Sequence, residues 1–187
     1  MVQQVPNTKE VFFLAEDREE ETRRELAWNS FALLKNTNSS FVLFAKDGEL
    51  MLARGSFKIP GLPQGIPVTD NYPLNKVLST SFKVTGSCEV LEKLEGKQKE
   101  EIGTGTGTGT TTSLYLENEA MIERLNLYAD LCFLAKGIKS LFISKSKSTS
   151  SSSGSSGVII VGANAPKAFS QAQQQWVVNI GKKLSAV

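Results

Sequence analysis

Apolar residues recur at helical spacing between Arg18 and Asn36. Asp17 and Glu20 stand three residues apart where this run begins, as in a capping box, and acidic residues crowd the first turn, where the helix dipole favours negative charge. The pattern predicts a helix over about 18–36, preceded by a short strand at Val11–Leu14. The predicted buried stripe of this helix consists of Ala27, Trp28, Phe31 and Leu34, widened by Leu26 and Leu33.

Two apolar runs, Phe41–Ala45 and Leu50–Arg54, follow the helix and flank the dipeptide Asp47-Gly48. This dipeptide tolerates the positive φ angles of a tight turn, so the two runs are predicted to form a β-hairpin.

Turn-forming residues interrupt the apolar pattern after the hairpin. Prolines and glycines between residues 60 and 67 predict a loop, and Pro73 suits the first position of a short helix. Strands are then predicted at Ser81–Val84 and Cys88–Leu94, the second of which is also compatible with a helix.

The last third of the chain alternates between apolar runs and turn residues. Lys139–Ser144 and the run GVIIVGA (157–163) are predicted to be antiparallel neighbours, whereas the stretch through Leu127 fits either a strand or a helix. Pro166 then ends the strand, and Ser170 is placed to cap a final helix. The predicted buried side of that helix consists of Trp176, Val177, Ile180 and Leu184.

Two segments of low complexity, 97–113 and 144–157, bury too little apolar surface to offset the cost of ordering, and flexible insertions are expected at about 97–113 and 145–156. The alternating Gly-Thr tract has no lysine at the P-loop position and no strand leading into it, which favours a linker over a phosphate site. The Ser-rich tract is interpreted as a plain loop rather than a phosphorylation site.

Composition narrows the possible functions. A chain of 187 residues with 40% hydrophobic residues fits one domain, and a net charge of +2 without long charged blocks argues against nucleic-acid binding. The chain contains no histidine, which removes Ser-His-Asp and Cys-His catalysis, His-ligated zinc and proximal-His haem. No catalytic residue, metal ligand or bound cofactor is therefore predicted, and cofactor-binding residues remain unassigned.

Four single residues have both a functional and a structural interpretation. Cys88 and Cys132 fit a reducing compartment, although a bridge between them stays open, and both are interpreted as structural rather than as reactive thiols. Trp28 and Trp176 have the shape to stack on a tetrapyrrole, but their helical spacing favours the core. Lys182 and Lys183 complement the dipole of the last helix and are candidates for the rim of an interface.

Segment order provides a first resemblance. The order of helix, hairpin, loop, two strands and closing helix resembles the GAF domain, in which a strand is often followed by Gly-x-x-x-Pro-x-x-Phe-Ser/Thr. Gly162, Pro166, Phe169 and Ser170 occupy that pattern. The resemblance implies an α+β fold, with one GAF-like domain over 1–187 built on a central antiparallel sheet that has its first and last helices packed on one face.

A closer resemblance rests on three stretches: ELAWNSFALLKNT (25–37), LMLARGSF (50–57) and FSQAQQQWVVNIGKKL (169–184). They are similar to the paralogous members two and four of the family named for cofactor assembly of complex C. The resemblance implies a heterodimer with a paralogous GAF-like subunit, action on apocytochrome b6, and help in attaching its c-type haem, which would be handled only transiently. It also implies a chloroplast thylakoid location, with this domain facing the stroma and transmembrane helices upstream of Met1.

Three functional hypotheses follow. The first is a non-enzymatic assembly factor, and the alternative is a GAF-type sensor that binds a small molecule. The bilin, sulfoxide-reductase and cyclic-nucleotide uses of that fold are disfavoured, since the chain lacks histidine, has two cysteines and shows no matching signature around Asn75 and Lys76. A thiol-dependent enzyme that uses Cys88 is the third hypothesis.

Overall fold

The computed structural model describes residues 5, 7–58, 111–147 and 156–186. Within these ranges ten elements follow one another along the chain. They are β1 (Lys9–Leu14), α1 (Glu20–Asn36), β2 (Phe41–Lys46), β3 (Glu49–Phe57), β4 (Thr111–Leu116), α2 (Glu119–Arg124), α3 (Leu127–Asp130), β5 (Ser140–Lys147), β6 (Ser156–Ala163) and α4 (Gln171–Ala186). The predicted loop at 60–67, the helix at Pro73, the strands at 81–84 and 88–94, Asn75, Lys76 and Cys88 lie outside the described residues.

The six strands form one antiparallel sheet in the order β1-β3-β2-β6-β5-β4. The predicted hairpin is confirmed, because β2 and β3 are joined by Asp47 at φ 51° and Gly48 at φ 84°. The predicted pairing of the two late strands is also confirmed, with Ile143 opposite Ile160. Each confirmed pair joins strands that follow each other along the chain.

One face of the sheet is covered by the first and last helices. Leu26 and Leu33 of α1 and Val177 of α4 are almost completely buried against sheet residues such as Phe44 and Ile159. The α+β fold with both terminal helices on one face is therefore confirmed. The more specific GAF assignment stays a prediction.

The opposite face is buried as well. Phe41, Phe57 and Phe133 form an aromatic group with ring-centroid distances of 5.0 to 6.1 Å. Ile122 of α2 and Leu127 of α3 pack into the same cluster. A sheet that is buried on both faces explains why β2 and β6 consist of nearly continuous apolar runs rather than alternating ones.

Three boundaries differ from the sequence prediction. Strand β4 begins at Thr111, inside the predicted insertion at 97–113, and the stretch through Leu127 forms this strand and then short helices. Strand β5 continues to Lys147 and β6 begins at Ser156, so both extend into the predicted insertion at 145–156. The serines of β5 take part in ordered contacts: Ser146 Oγ lies 2.6 Å from Ser185 Oγ of α4.

The buried stripe of α1 was also predicted incorrectly. Leu26, Ser30 and Leu33 are buried, whereas Trp28 is 68% exposed and Phe31 is 44% exposed. Leu26 and Trp28 lie about 200° apart around a helix of 3.6 residues per turn, so burying one exposes the other. The helix has apolar residues on both sides, and the sheet contacts the side that carries Leu26 and Leu33.

In the described part of the chain, none of the four helices combines the length and the hydrophobicity that a bilayer-spanning helix requires.

Candidate interaction surface

Three exposed aromatic residues form the most unusual surface of the described chain. Phe12 is 59% exposed, and Trp28 and Phe31 are the two exposed residues of α1 noted above. We refer to Phe12, Trp28 and Phe31 as the aromatic patch. Exposed apolar residues are common when single, but a group of them often marks a binding surface.

Strand alternation and helix geometry together build the patch. In β1, Val11 is buried in the core below the sheet, so its neighbour Phe12 projects from the face that carries α1. On α1, Trp28 and Phe31 lie three residues apart and share one side of the helix, with ring centroids 6.1 Å apart. The patch therefore spans the junction between the outer strand and the first helix.

Arg54 connects the two halves of the patch. It lies opposite Phe12 in the β1–β3 pairing, and its guanidinium carbon is 4.8 Å from the centroid of the Phe12 ring and 5.4 Å from that of Phe31. Its Nη1 also donates a hydrogen bond to the carbonyl oxygen of Ala27 at 3.3 Å. A cation between two ring faces is attracted to both of them, so Arg54 holds the strand and the helix together.

The charge of Arg54 has no acidic counterpart nearby. No carboxylate of the described residues lies within ion-pair distance of its guanidinium group. Glu10, the acidic residue two positions before Phe12, instead accepts a hydrogen bond from the hydroxyl group of Ser56. The centre of the patch is thus a cation surrounded by aromatic rings.

Two clefts lie elsewhere on the helical face. One, of about 320 Å³, lies between the start of α1 and the β2–β3 hairpin and is lined by residues that include Arg18, Glu25 and Lys46. The other, of about 400 Å³, lies between β4 and α4 near Tyr115 and Gln174. Both are open and largely polar, unlike the mostly apolar, enclosing pockets that bind small molecules.

The other residues with a predicted role are spread over the molecule. Trp176 is half-buried and packs against the core of the helical face, in contrast to Trp28. Lys183 pairs with Glu25 of α1 at 2.9 Å, and Lys182 is exposed. Cys132 was predicted to lie in the core and is only half-buried, between the buried Leu131 and Phe133.

Sequence reasoning missed Phe12 and Arg54 as surface residues. The signal for Phe12 was the alternation of β1, in which burial of Val11 requires Phe12 to face the other way. Arg54 was assigned only to a strand, because its neighbours Phe12 and Phe31 are distant in sequence. Among the described residues, no group of three or more Cys, Asp or Glu side chains is arranged to hold a metal ion.

Comparison with known proteins identifies the family. The family model for cofactor assembly of complex C, CCB2/CCB4, matches residues 2–184. No curated protein and no solved structure gave a significant match. The match includes all the elements described above except the last two residues of α4, and the aromatic patch lies within it. The chain therefore belongs to the CCB2/CCB4 family of proteins for cofactor assembly of complex C.

Proposed function

We propose that this chain is a non-enzymatic assembly factor of the cytochrome b6f complex that helps to attach the c-type haem of cytochrome b6 covalently. The observation that carries the proposal is the match of the cofactor-assembly family over residues 2–184. In this role the chain is a scaffold that pairs with a paralogous protein and presents apocytochrome b6. Haem is then a cargo of the assembly, handled transiently.

Composition and surface chemistry support a scaffold rather than a catalyst. With no histidine, the chain lacks the side chain that most readily transfers protons near neutral pH and most often ligates haem iron. The aromatic patch around Arg54 instead has the residue types that are enriched at the centre of protein–protein interfaces. The alternative, a GAF-type sensor, would place its ligand in one of the two clefts, whose polar and open lining is poorly suited to that use.

The proposal includes a location. We expect the protein at the chloroplast thylakoid membrane, held there by helices upstream of this sequence, with the described domain in the stroma. Fluorescent tagging of the full-length precursor, followed by protease treatment of isolated thylakoids, tests this expectation. A tag that stays on envelope membranes, or that is protected from protease on the lumenal side, would contradict it.

The central experiment measures covalent haem on cytochrome b6. In a strain that lacks this protein, cytochrome b6 should show no haem-dependent peroxidase staining after denaturing electrophoresis, and the full-length gene should restore the staining. The proposal is wrong if the staining persists in the deletion strain. A Cys88→Ser variant that restores staining fully would also exclude the hypothesis of a thiol-dependent enzyme.

Two binding measurements test the scaffold in more detail. Size-exclusion chromatography with light scattering should detect a complex between this chain and a co-expressed paralogue; a monomer in that mixture would contradict the pairing. Titration with haem tests direct handling, because bound haem shifts its Soret band. Without a shift, the scaffold role remains and direct haem handling by this domain is excluded.

A further inference from the structure

We propose that the aromatic patch and Arg54 form the surface through which the chain binds its paralogous partner, and that the partner supplies a carboxylate flanked by apolar side chains. This inference rests on the proposed pairing of the two paralogues and names the surface and the chemistry that would perform it.

The geometry of Arg54 indicates an acidic counterpart. A guanidinium group has five N–H donors, and the described structure uses one of them, in the bond to the Ala27 carbonyl. The rings of Phe12 and Phe31 hold the group in place. A carboxylate of the partner can accept two of the remaining N–H groups side by side, an arrangement that arginine favours. Surrounding aromatic rings would exclude water and strengthen this ion pair.

The exposed area fits the centre of an interface. With each aromatic side chain contributing about 200 Å² when fully exposed, the observed fractions leave roughly 350 Å² of aromatic surface in the patch. A standard interface buries about 800 Å² on each partner, so the patch would supply a little under half of it and polar neighbours would form the rim. Tryptophan and arginine are also the residue types most often found to dominate binding energy.

A protein partner fits the patch better than haem does. Sites for small planar molecules are concave, and neither cleft of the helical face is lined by Phe12, Trp28 or Phe31. The patch instead joins an outer strand to a helix, and one strand edge lies beside it: among the described residues, β1 pairs only with β3. This surface offers a partner both aromatic contacts and an open backbone edge.

The test compares variants of the full-length chain, using isothermal titration calorimetry to measure their binding to the purified paralogue. Trp28→Ala, Phe12→Ser and Arg54→Gln should each weaken binding roughly 10- to 30-fold. Arg54→Lys should recover only part of the affinity, because an ammonium group cannot form the paired hydrogen bonds. The control is Lys136→Gln, which removes an exposed cation from the segment packed on the opposite face of the sheet and should leave binding unchanged.

Folding of each variant is checked by circular dichroism. Trp28→Ala is the decisive variant, since a side chain that is 68% exposed contributes little to the core. A photo-crosslinking amino acid in place of Trp28 should capture a partner peptide that contains Asp or Glu between apolar residues.

Each contrary result has its own meaning. If wild type binds the paralogue and Trp28→Ala binds equally well, the surface assignment is wrong and the proposed function stands. If Arg54→Gln loses no more affinity than Lys136→Gln, the acidic counterpart is wrong. A homodimer that Trp28→Ala disrupts, or a haem Soret shift that this variant abolishes, would assign the patch to another occupant and overturn the inference. If wild type does not bind the paralogue at all, the pairing in the proposed function fails, and this inference fails with it.

Discussion

The Phe41 ring lies directly against the backbone of Gly162, its neighbour in the pairing of β2 with β6. A Cβ atom placed on Gly162 would be 2.2 Å from Cε1 of Phe41, far inside van der Waals contact. The ring has little room to move, because Phe57 and Phe133 pack around it at centroid distances of 5.0 and 6.1 Å. Gly162 thus provides space in the core, in addition to its place in the motif before Pro166.

Replacing Gly162 should therefore destabilise the fold. We expect Gly162→Ala to lower the free energy of unfolding by about 1–3 kcal/mol, the usual cost of overpacking a core. Urea unfolding followed by circular dichroism measures this change. In the double variant with Phe41→Leu, the smaller side chain should relieve part of the clash, so the two losses should not add. A loss equal to the sum of the single variants would contradict the proposed contact.

The turn between β2 and β3 provides a second prediction, on backbone conformation alone. Gly48 has φ 84°, and nothing lies within 4 Å of the position where its Cβ atom would be. Gly48→Ala should cost about 1 kcal/mol, because an L-residue is strained at positive φ even where space is open. Asp47→Asn is the matched control and should be nearly neutral, since asparagine tolerates φ 51° and keeps an oxygen for the Ser156 N–H. Equal melting temperatures for Gly48→Ala and wild type would contradict this account.

Elements whose chemistry is local could be predicted from the sequence. The Asp47-Gly48 turn specifies its hairpin because both positions accept positive φ, and Ser170 marks the start of α4 because its side chain replaces a missing backbone partner. Strands β5 and β6 were predictable as neighbours because they are consecutive.

Features that depend on distant residues could not be predicted in the same way. α1 has an apolar set on each side, and only the positions of β2 and β3 decide that Leu33 is buried and Trp28 exposed. The aromatic patch depends on the pairing of β1 with β3, which brings Phe12 to Arg54 across 42 positions of sequence. Sequence periodicity does not specify which helix face the sheet covers, and the candidate surface arises from that choice.

The cap of the last helix provides a third prediction. Ser170 Oγ accepts a hydrogen bond from the backbone N–H of Gln173 at 3.3 Å, and Gln173 Oε1 accepts one from the Ser170 N–H at 2.9 Å. Ser170→Ala should lower stability by about 1 kcal/mol because an N–H at the helix start loses its acceptor. Ser170→Asp keeps an acceptor and should retain most of the stability, as measured by thermal unfolding. If alanine and aspartate behave alike, the side-chain cap is not the cause.

The Tyr128 hydroxyl group should make stability depend on alkaline pH. It donates a hydrogen bond to the carbonyl oxygen of Ile138 at 2.7 Å, and a Glu119 carboxylate oxygen lies 3.4 Å away. Burial, and then the negative charges of Glu119 and Glu123, raise the pKa of Tyr128 well above its ordinary value of 10.0. Tyr128 therefore keeps its proton in the folded state at pH values where the unfolded chain has lost it.

Since the folded-state pKa of Tyr128 is the higher one, its contribution is fully present below the unfolded pKa and is lost as the pH rises towards the folded value. Tyr128→Phe should cost about 1 kcal/mol near neutral pH, where the hydrogen bond to Ile138 is intact. That difference from wild type should shrink between about pH 8 and pH 11, because only wild type has a residue 128 that ionises on unfolding. Urea unfolding at several pH values measures it, with Tyr115→Phe as a companion, since burial also raises the pKa of Tyr115. A stability difference between wild type and Tyr128→Phe that stays constant over this range would show that residue 128 titrates alike in the folded and unfolded chain.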